Sequence, residues 1–217
     1  MQEQETERKA EQIAAEAKDV RERTRVLVVD TLKNGAETVS RLPNAAGKVL
    51  DGAWRGVERV ADEKQADVLR EVIDGISEGL SQGANAVKYT LEEAKSRGQT
   101  YTEEEIKGTA QDLRALESMF VERIEKLVKS SAGTSADQAR DLLGHARRAA
   151  TDMMPEIKAA IETAEQQPLD LAREAASVAA GASRLATGSL LKGIAGVIDG
   201  LGGAVSGDRK DKDADGS

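Results

Sequence analysis

Across 217 residues the chain places proline only three times, at Pro43, Pro155 and Pro168. Nowhere does it alternate polar and apolar residues in the two-residue period of a strand. Apolar residues return instead every three or four positions among strong helix formers, which confines the fold to helices packed side by side. The aromatic residues narrow the choice further, because there are only four, Trp54, Tyr89, Tyr101 and Phe120. Aromatic rings normally supply large blocks of buried area. A core of mostly Ala, Val, Leu and Ile is thin, so stability is modest or depends on oligomerisation or a surface. The fold class expected is all-α: an elongated antiparallel helical bundle of four to six helices joined by short loops. Residues 1–205 form one helical domain or bundle, and the charged stretch 206–217 is a disordered tail.

The helices can be placed along the chain. The first is expected from Glu3 to Lys33, stopped by Asn34-Gly35. After a short segment bent at Pro43, one long helix is expected from Asn44 to Arg97. Its apolar face runs through Leu50, Trp54, Val57, Ala61, Gln65, Val68, Val72, Ile76, Leu80, Gly83, Val87, Leu91 and Ala94. That is 44 residues in 12 steps with one polar interruption. Such an eleven-residue repeat keeps a stripe nearly straight along the helix, suited either to packing on neighbours or to lying on a flat apolar surface. Gly98 ends this helix, and Thr102 with Glu105 forms a capping box that opens the next. There Ile106, Leu113, Phe120 and Leu127 fall seven apart, joined by Leu116 and Ile124. After a loop at 130–134, Ser135 and Gln138 make a second capping box. The helix from Ala136 to Gln166 presents Ala139, Leu143, Ala146, Ala150, Met153, Ile157, Ala160 and Ala164, with a kink expected at Thr151–Met154 from Pro155. A last helix follows Pro168 towards Val205.

Glycines sit inside these helices at four-residue spacing: Gly52 and Gly56, then Gly75, Gly79 and Gly83, then Gly196 and Gly200. Each costs up to about 1 kcal/mol of helix stability relative to alanine. Close backbone approach of two helices is one compensation; a pliable helix that orders on a surface is another, and simple drift in a loosely constrained helix a third. The stretch Leu190–Val205 is the most apolar in the chain, with Lys192 and Asp199 on its wet side. It can enter an interface, drive self-association, or cap the bundle.

Composition disfavours other chemistries. With 39 acidic and 31 basic residues the net charge is −8, and no nucleic-acid partner is expected, since phosphate binding rests on Lys and Arg. There is no cysteine and one histidine, His145, so neither a disulfide framework nor a thiolate metal site is available. His145 reads as a helix-flank residue, and Glu103-Glu104-Glu105 as acids complementing a helix dipole. No Walker loop, dinucleotide fingerprint or nucleophile elbow occurs. No enzyme activity, catalytic residue, metal or cofactor is expected. The start, Met1-Gln2-Glu3-Gln4-Glu5, lacks the apolar run of a signal peptide, and Lys192 and Asp199 interrupt the nearest approach to a spanning helix, Leu185–Val205. A cytoplasmic location is expected, peripheral to a granule or inner membrane surface if the stripes act there.

Apolar stripes, Ala-rich helices, absent cysteines and a charged tail together resemble the layout of bacterial phasins. The segments Ala115-Leu116-Glu117-Ser118-Met119-Phe120 and His145-Ala146-Arg147-Arg148 are also similar to uncharacterised bacterial helical proteins. The phasin resemblance implies amphipathic helices that coat polyhydroxyalkanoate granules and self-associate into homo-oligomers. The expected function is thus a coat or scaffold on a hydrophobic granule or membrane surface. Its contacts would be Leu50, Trp54, Val57, Val72, Ile76 and Leu80, with Leu190, Leu191, Ile194, Val197, Ile198 and Leu201. The alternatives are an adaptor binding another helical protein through Ile106, Leu113 and Phe120, and a stress-protective chain that folds on drying.

Overall fold

The structure is a computed structural model that describes residues 2–34, 41–97, 101–130, 135–166 and 190–207. Among these residues lie seven helices and no strand: α1 (Gln2–Glu16), α2 (Val20–Asn34), α3 (Arg41–Val57), α4 (Asp62–Ser96), α5 (Glu103–Ser130), α6 (Ala136–Glu165) and α7 (Leu190–Gly207). The all-α class follows the periodicity, and the helix count exceeds the expected range because two long helices are each broken once.

The first break is at Ala17–Asp19. Ala17 (φ 48°) and Asp19 (φ 49°) both take the left-handed conformation, a strained state for Ala that costs about 1–2 kcal/mol. Reversing the chain here lets Ile13 and Ala14 of α1 and Val20 of α2 all bury. The second break spans Glu58–Ala61, where the amides of Arg59 and Val60 donate to the carbonyls of Gly56 and Val57 (3.1 and 2.9 Å). Gln65, the polar interruption in the long stripe, closes this turn by donating from Nε2 to the Val60 carbonyl (3.0 Å). Ala61 is consequently exposed, while the stripe on either side, Leu50 to Val57 and Val68 to Ala94, is buried. Helix α3 begins at Arg41, three residues ahead of the expected start, with Pro43 in its first turn, where backbone amides have no helical acceptor.

Both capping boxes form. The Thr102 hydroxyl accepts from the Glu105 amide and the Glu105 carboxylate accepts from the Thr102 amide (3.2 Å each). Ser135 and Gln138 do the same (3.3 and 3.0 Å). Helix α6 continues without interruption through Pro155, which is exposed. On its inner face Leu142 is fully buried, and the expected Ala139 and Leu143 are half-buried. The expected stop at Gly98, the loop at 131–134 and the helix after Pro168 as far as residue 189 fall outside the described residues. The same holds for the tail, except that α7 extends to Gly207.

Three hairpins stack on one another. Inside the first, α1 and α2 run oppositely: the Thr6 and Thr31 hydroxyls meet at 3.4 Å at the open end, and Glu16 pairs with Arg23 at 2.6 Å by the turn. Between hairpins the helices run in the same sense. Arg21 and Arg25 of α2 bond Glu78 and Gln82 of α4, keeping a constant register along the pair. Asp74 and Ser77 of α4 bond His145 and Ala149 of α6. Arg123 of α5 bonds Asp51 of α3 (2.9 Å) at the register that relates Ser77 to Ala149. Antiparallel order therefore holds within hairpins, while α1, α3 and α5 form one parallel layer and α2, α4 and α6 the other, as in stacked helical repeats. Helix α4 lies at the centre: Val72, Ile76, Leu80 and Leu91 are fully buried, each contributing about 1.5–3 kcal/mol.

The glycines make the stacking possible. A Cβ on Gly52 or Gly56 of α3 would collide with the Glu7 or Glu11 carbonyl of α1, and would stand 2.9 Å from the Cβ of Ala10 or Ala14. On α4, a Cβ at Gly75 would lie 2.8 Å from the Thr24 Cβ, and one at Gly79 would lie 2.7 Å from the Val28 Cβ. Close backbone approach is the reason for these four.

Charges flank the same α1–α3 seam. Glu7 accepts from Lys48 (3.1 Å) and Arg55 (2.9 Å), and Arg55 also reaches Glu11 (3.4 Å). The Lys48 ammonium, with Arg55 beside it, holds the Glu7 carboxyl below the usual carboxylate range. A carboxyl with a lowered folded-state pKa stabilises the fold above its unfolded value, and the contribution is lost as pH falls through the lowered one. Urea midpoints are therefore expected to fall between pH 5 and pH 3, and Glu7→Gln should reduce that slope while lowering the midpoint at pH 7.

Candidate functional site

Helix α7 is the most apolar helix of the structure, 18 residues long, and packs across the C-terminal parts of α4 and α2. Leu190, Ile194 and Ile198 point into the seat and are buried, and Val197 is half-buried. Lys192, Gly196 and Asp199 face water. This is the wet and dry division expected from the sequence. The side chains of Leu191 and Leu201 lie outside the description.

Two contacts fix the helix. Gly193 sits over Thr90 of α4, where a Cβ would come within 2.5 Å of the Thr90 Cγ2 and 3.0 Å of the Tyr101 hydroxyl. Thr90 is itself buried, its hydroxyl donating back to the Ala86 carbonyl (2.7 Å). Burial, with Glu105 and Glu93 nearby, pushes the Tyr101 phenol above its ordinary pKa, so it stays neutral in the seat. Further along, Asp199 pairs with Lys33 in the last turn of α2 (2.8 Å). Four-residue glycine spacing pointed to Gly196, but nothing lies within 4 Å of a Cβ there; the close approach is at Gly193. Thr90, Tyr101 and Lys33 were not singled out from the sequence, because only the register of α2 on α4 brings them together.

The other candidate contacts are inside the stack. Leu50, Trp54, Val57, Val72, Ile76 and Leu80 are all buried by neighbouring helices. Ile106, Leu113 and Phe120, the face considered for an adaptor, are buried where α5 meets α3 and α6. Neither set is available to a partner without separating helices. Among the described helices, α7 alone combines a continuous apolar face with a small set of restraining contacts.

Elsewhere among the described residues the large hydrophobics that reach the surface, Val26, Tyr89 and Met119, stand on three different helices. An open groove between α2, α4 and α6 is lined by Glu22, Arg25, Ser77, Glu78, Gln82 and Asp152. Arg25 is held there by Glu22 and Gln82 (2.9 Å each). His145 lies on the flank of α6, its Nε2 at 2.8 Å from Asp74 Oδ1, and the Ser77 hydroxyl donates to the Ala149 carbonyl (2.9 Å). These bonds tie α4 to α6. Among the described residues no helix is long and apolar enough to cross a membrane, and no group of three or more potential ligands converges as a metal site.

No curated protein and no solved structure matched the chain. A family model did match, over residues 1–206, and the chain belongs to that family, described as a family of unknown function (DUF6781).

Proposed function

We propose that the protein is a non-enzymatic amphipathic helical protein that coats or scaffolds a hydrophobic surface, a storage granule or a membrane interface, in the manner of phasins. One observation carries this reading: α7 has a continuous apolar face, Leu190, Ile194, Val197 and Ile198, backed by a polar one, and rests on α4 and α2. An amphipathic helix of this kind lies in an interface with its apolar side down. Leaving the seat exposes that face, and meeting an apolar surface buries it again, at about 1.5–3 kcal/mol per large side chain. The two burials are comparable, so a surface in excess shifts the balance without any chemical step. The buried stripes of α3 and α4 form a second reserve, reached only by parting the glycine contacts. The expected location is cytoplasmic, peripheral on the granule or inner membrane.

Flotation with polyhydroxybutyrate particles and, in parallel, with anionic liposomes tests the reading. The protein should float with at least one, and the difference between them separates a granule from a membrane role. Ile194→Asp combined with Ile198→Asp should abolish flotation while the circular dichroism of α1–α6 persists. Failure of the folded wild type with both surfaces would sink the proposal.

A further inference from the structure

We propose that α7 is a strap held by a charge latch, the Lys33–Asp199 ion pair, whose loss or screening makes release of the apolar face easier; this concerns the regulation of the surface helix proposed above and rests on that reading. The geometry divides the strap's contacts into two kinds. The notch at Gly193 over Thr90 and Tyr101 lies on the α4 side, and the apolar anchors are buried in the seat that α4 and α2 form together. The ion pair lies at the other side of the seam, on α2. Its two partners stand 166 positions apart by residue number (199 − 33), so it forms only when the strap is down.

The pair is also placed to respond to its surroundings. Asp199 is 72% exposed, whereas Lys33 is 24% exposed. A latch with one partner in water is weakened by salt, while the buried anchors are not. Lys33 has a second role, since it also complements the C-terminal end of the α2 dipole; the anion that leaves is therefore Asp199, and α2 keeps its cation. An exposed pair of this type changes an equilibrium about two- to fivefold, enough to tune release without deciding it.

The chain has no cysteine, so a single introduced thiol reports opening in solution, independently of any surface. Ile194→Cys places it under the strap, and Met153→Cys, fully buried on α6, reports global unfolding. Thiol labelling at position 194 should speed up about two- to fivefold with Asp199→Asn, and by a similar factor for the wild-type pair when sodium chloride is raised to about 0.5 M. Labelling at 153 should not change. The charge-swapped pair, Lys33→Glu with Asp199→Lys, should label slowly again, whereas either change alone labels fast. If labelling at 194 is indifferent to Asp199→Asn, or rises only in step with labelling at 153, the latch is overturned. Flotation failing while these labelling ratios hold would count against the surface reading alone.

Discussion

Gly56→Ala should lower stability by about 3 kcal/mol, although alanine is the better helix former and helix propensity alone calls for a gain of about 1 kcal/mol. The added methyl group meets the Glu11 carbonyl and the Ala14 side chain, and neither can turn away as the end of a flexible side chain can. Helices α1 and α3 must then part along their whole seam, which also stretches the pairs from Glu7 and Glu11 to Arg55. Gly52→Ala should behave likewise, and Gly75→Ala and Gly79→Ala should separate α4 from α2. Gly47→Ala and Gly196→Ala are the matched controls, since nothing lies within 4 Å of a Cβ at either. Both should be neutral or stabilising by up to about 1 kcal/mol. Urea melts of the six variants check the sign at each position, and a uniform gain would mean that the glycines merely loosen the helices.

Leu80→Asp should abolish cooperative folding. Leu80 is fully buried on α4, the helix packed against α2, α3, α6 and α7. Leu80→Ala removes transfer energy and leaves a cavity, costing about 3 kcal/mol. An aspartate adds the desolvation of an unpaired carboxylate, several kcal/mol more unless it takes up a proton. The total approaches the 5–15 kcal/mol that holds a typical domain together. Thermal melts followed by circular dichroism should show a lowered but cooperative transition for Leu80→Ala and none for Leu80→Asp. It follows that charges placed in the α3–α4 stripe test the fold before they test a surface, and that α7 is where surface binding can be probed separately.

The features legible in the sequence were those decided locally. Capping boxes at Thr102 and Ser135 need only residues three apart, and both form. The stripes of α4, α5 and α6 name most of the buried side chains because burial on one face imposes its period wherever the neighbour lies. The break after Val57 left a trace, Gln65 in an apolar stripe followed back to Asp62-Glu63, a helix-start signal. At Ala17–Asp19 there was none. Ile13, Ala17, Val20 and Thr24 continue a helical stripe without a gap, so the left-handed residues that turn the chain there leave no mark in the pattern. Glycine spacing left close approach, a pliable helix and drift open, and did not say which helices meet, since the nearest partners of Gly52 and Gly56 are carbonyls, and carbonyls carry no sequence. The seat of α7 was hidden for a related reason. Its wet and dry faces are local, whereas Thr90 and Lys33 come level only through the parallel register of α2 on α4.

Whether α7 must leave its seat to bind a surface can be tested by tethering it. A Cβ on Gly193 stands 3.8 Å from the Thr90 Cβ, within the roughly 3.5–4.5 Å span of a disulfide. Thr90→Cys also removes the Cγ2 that a side chain at 193 would meet. The chain has no other thiol, so Thr90→Cys with Gly193→Cys gives one switchable tether. Flotation of this variant with polyhydroxybutyrate particles and liposomes, oxidised and then reduced, is the measurement. Flotation is expected only after reduction, with wild type unaffected by either condition. Equal flotation of the oxidised form, with the disulfide confirmed intact by mass, would contradict it and place surface binding elsewhere on the molecule.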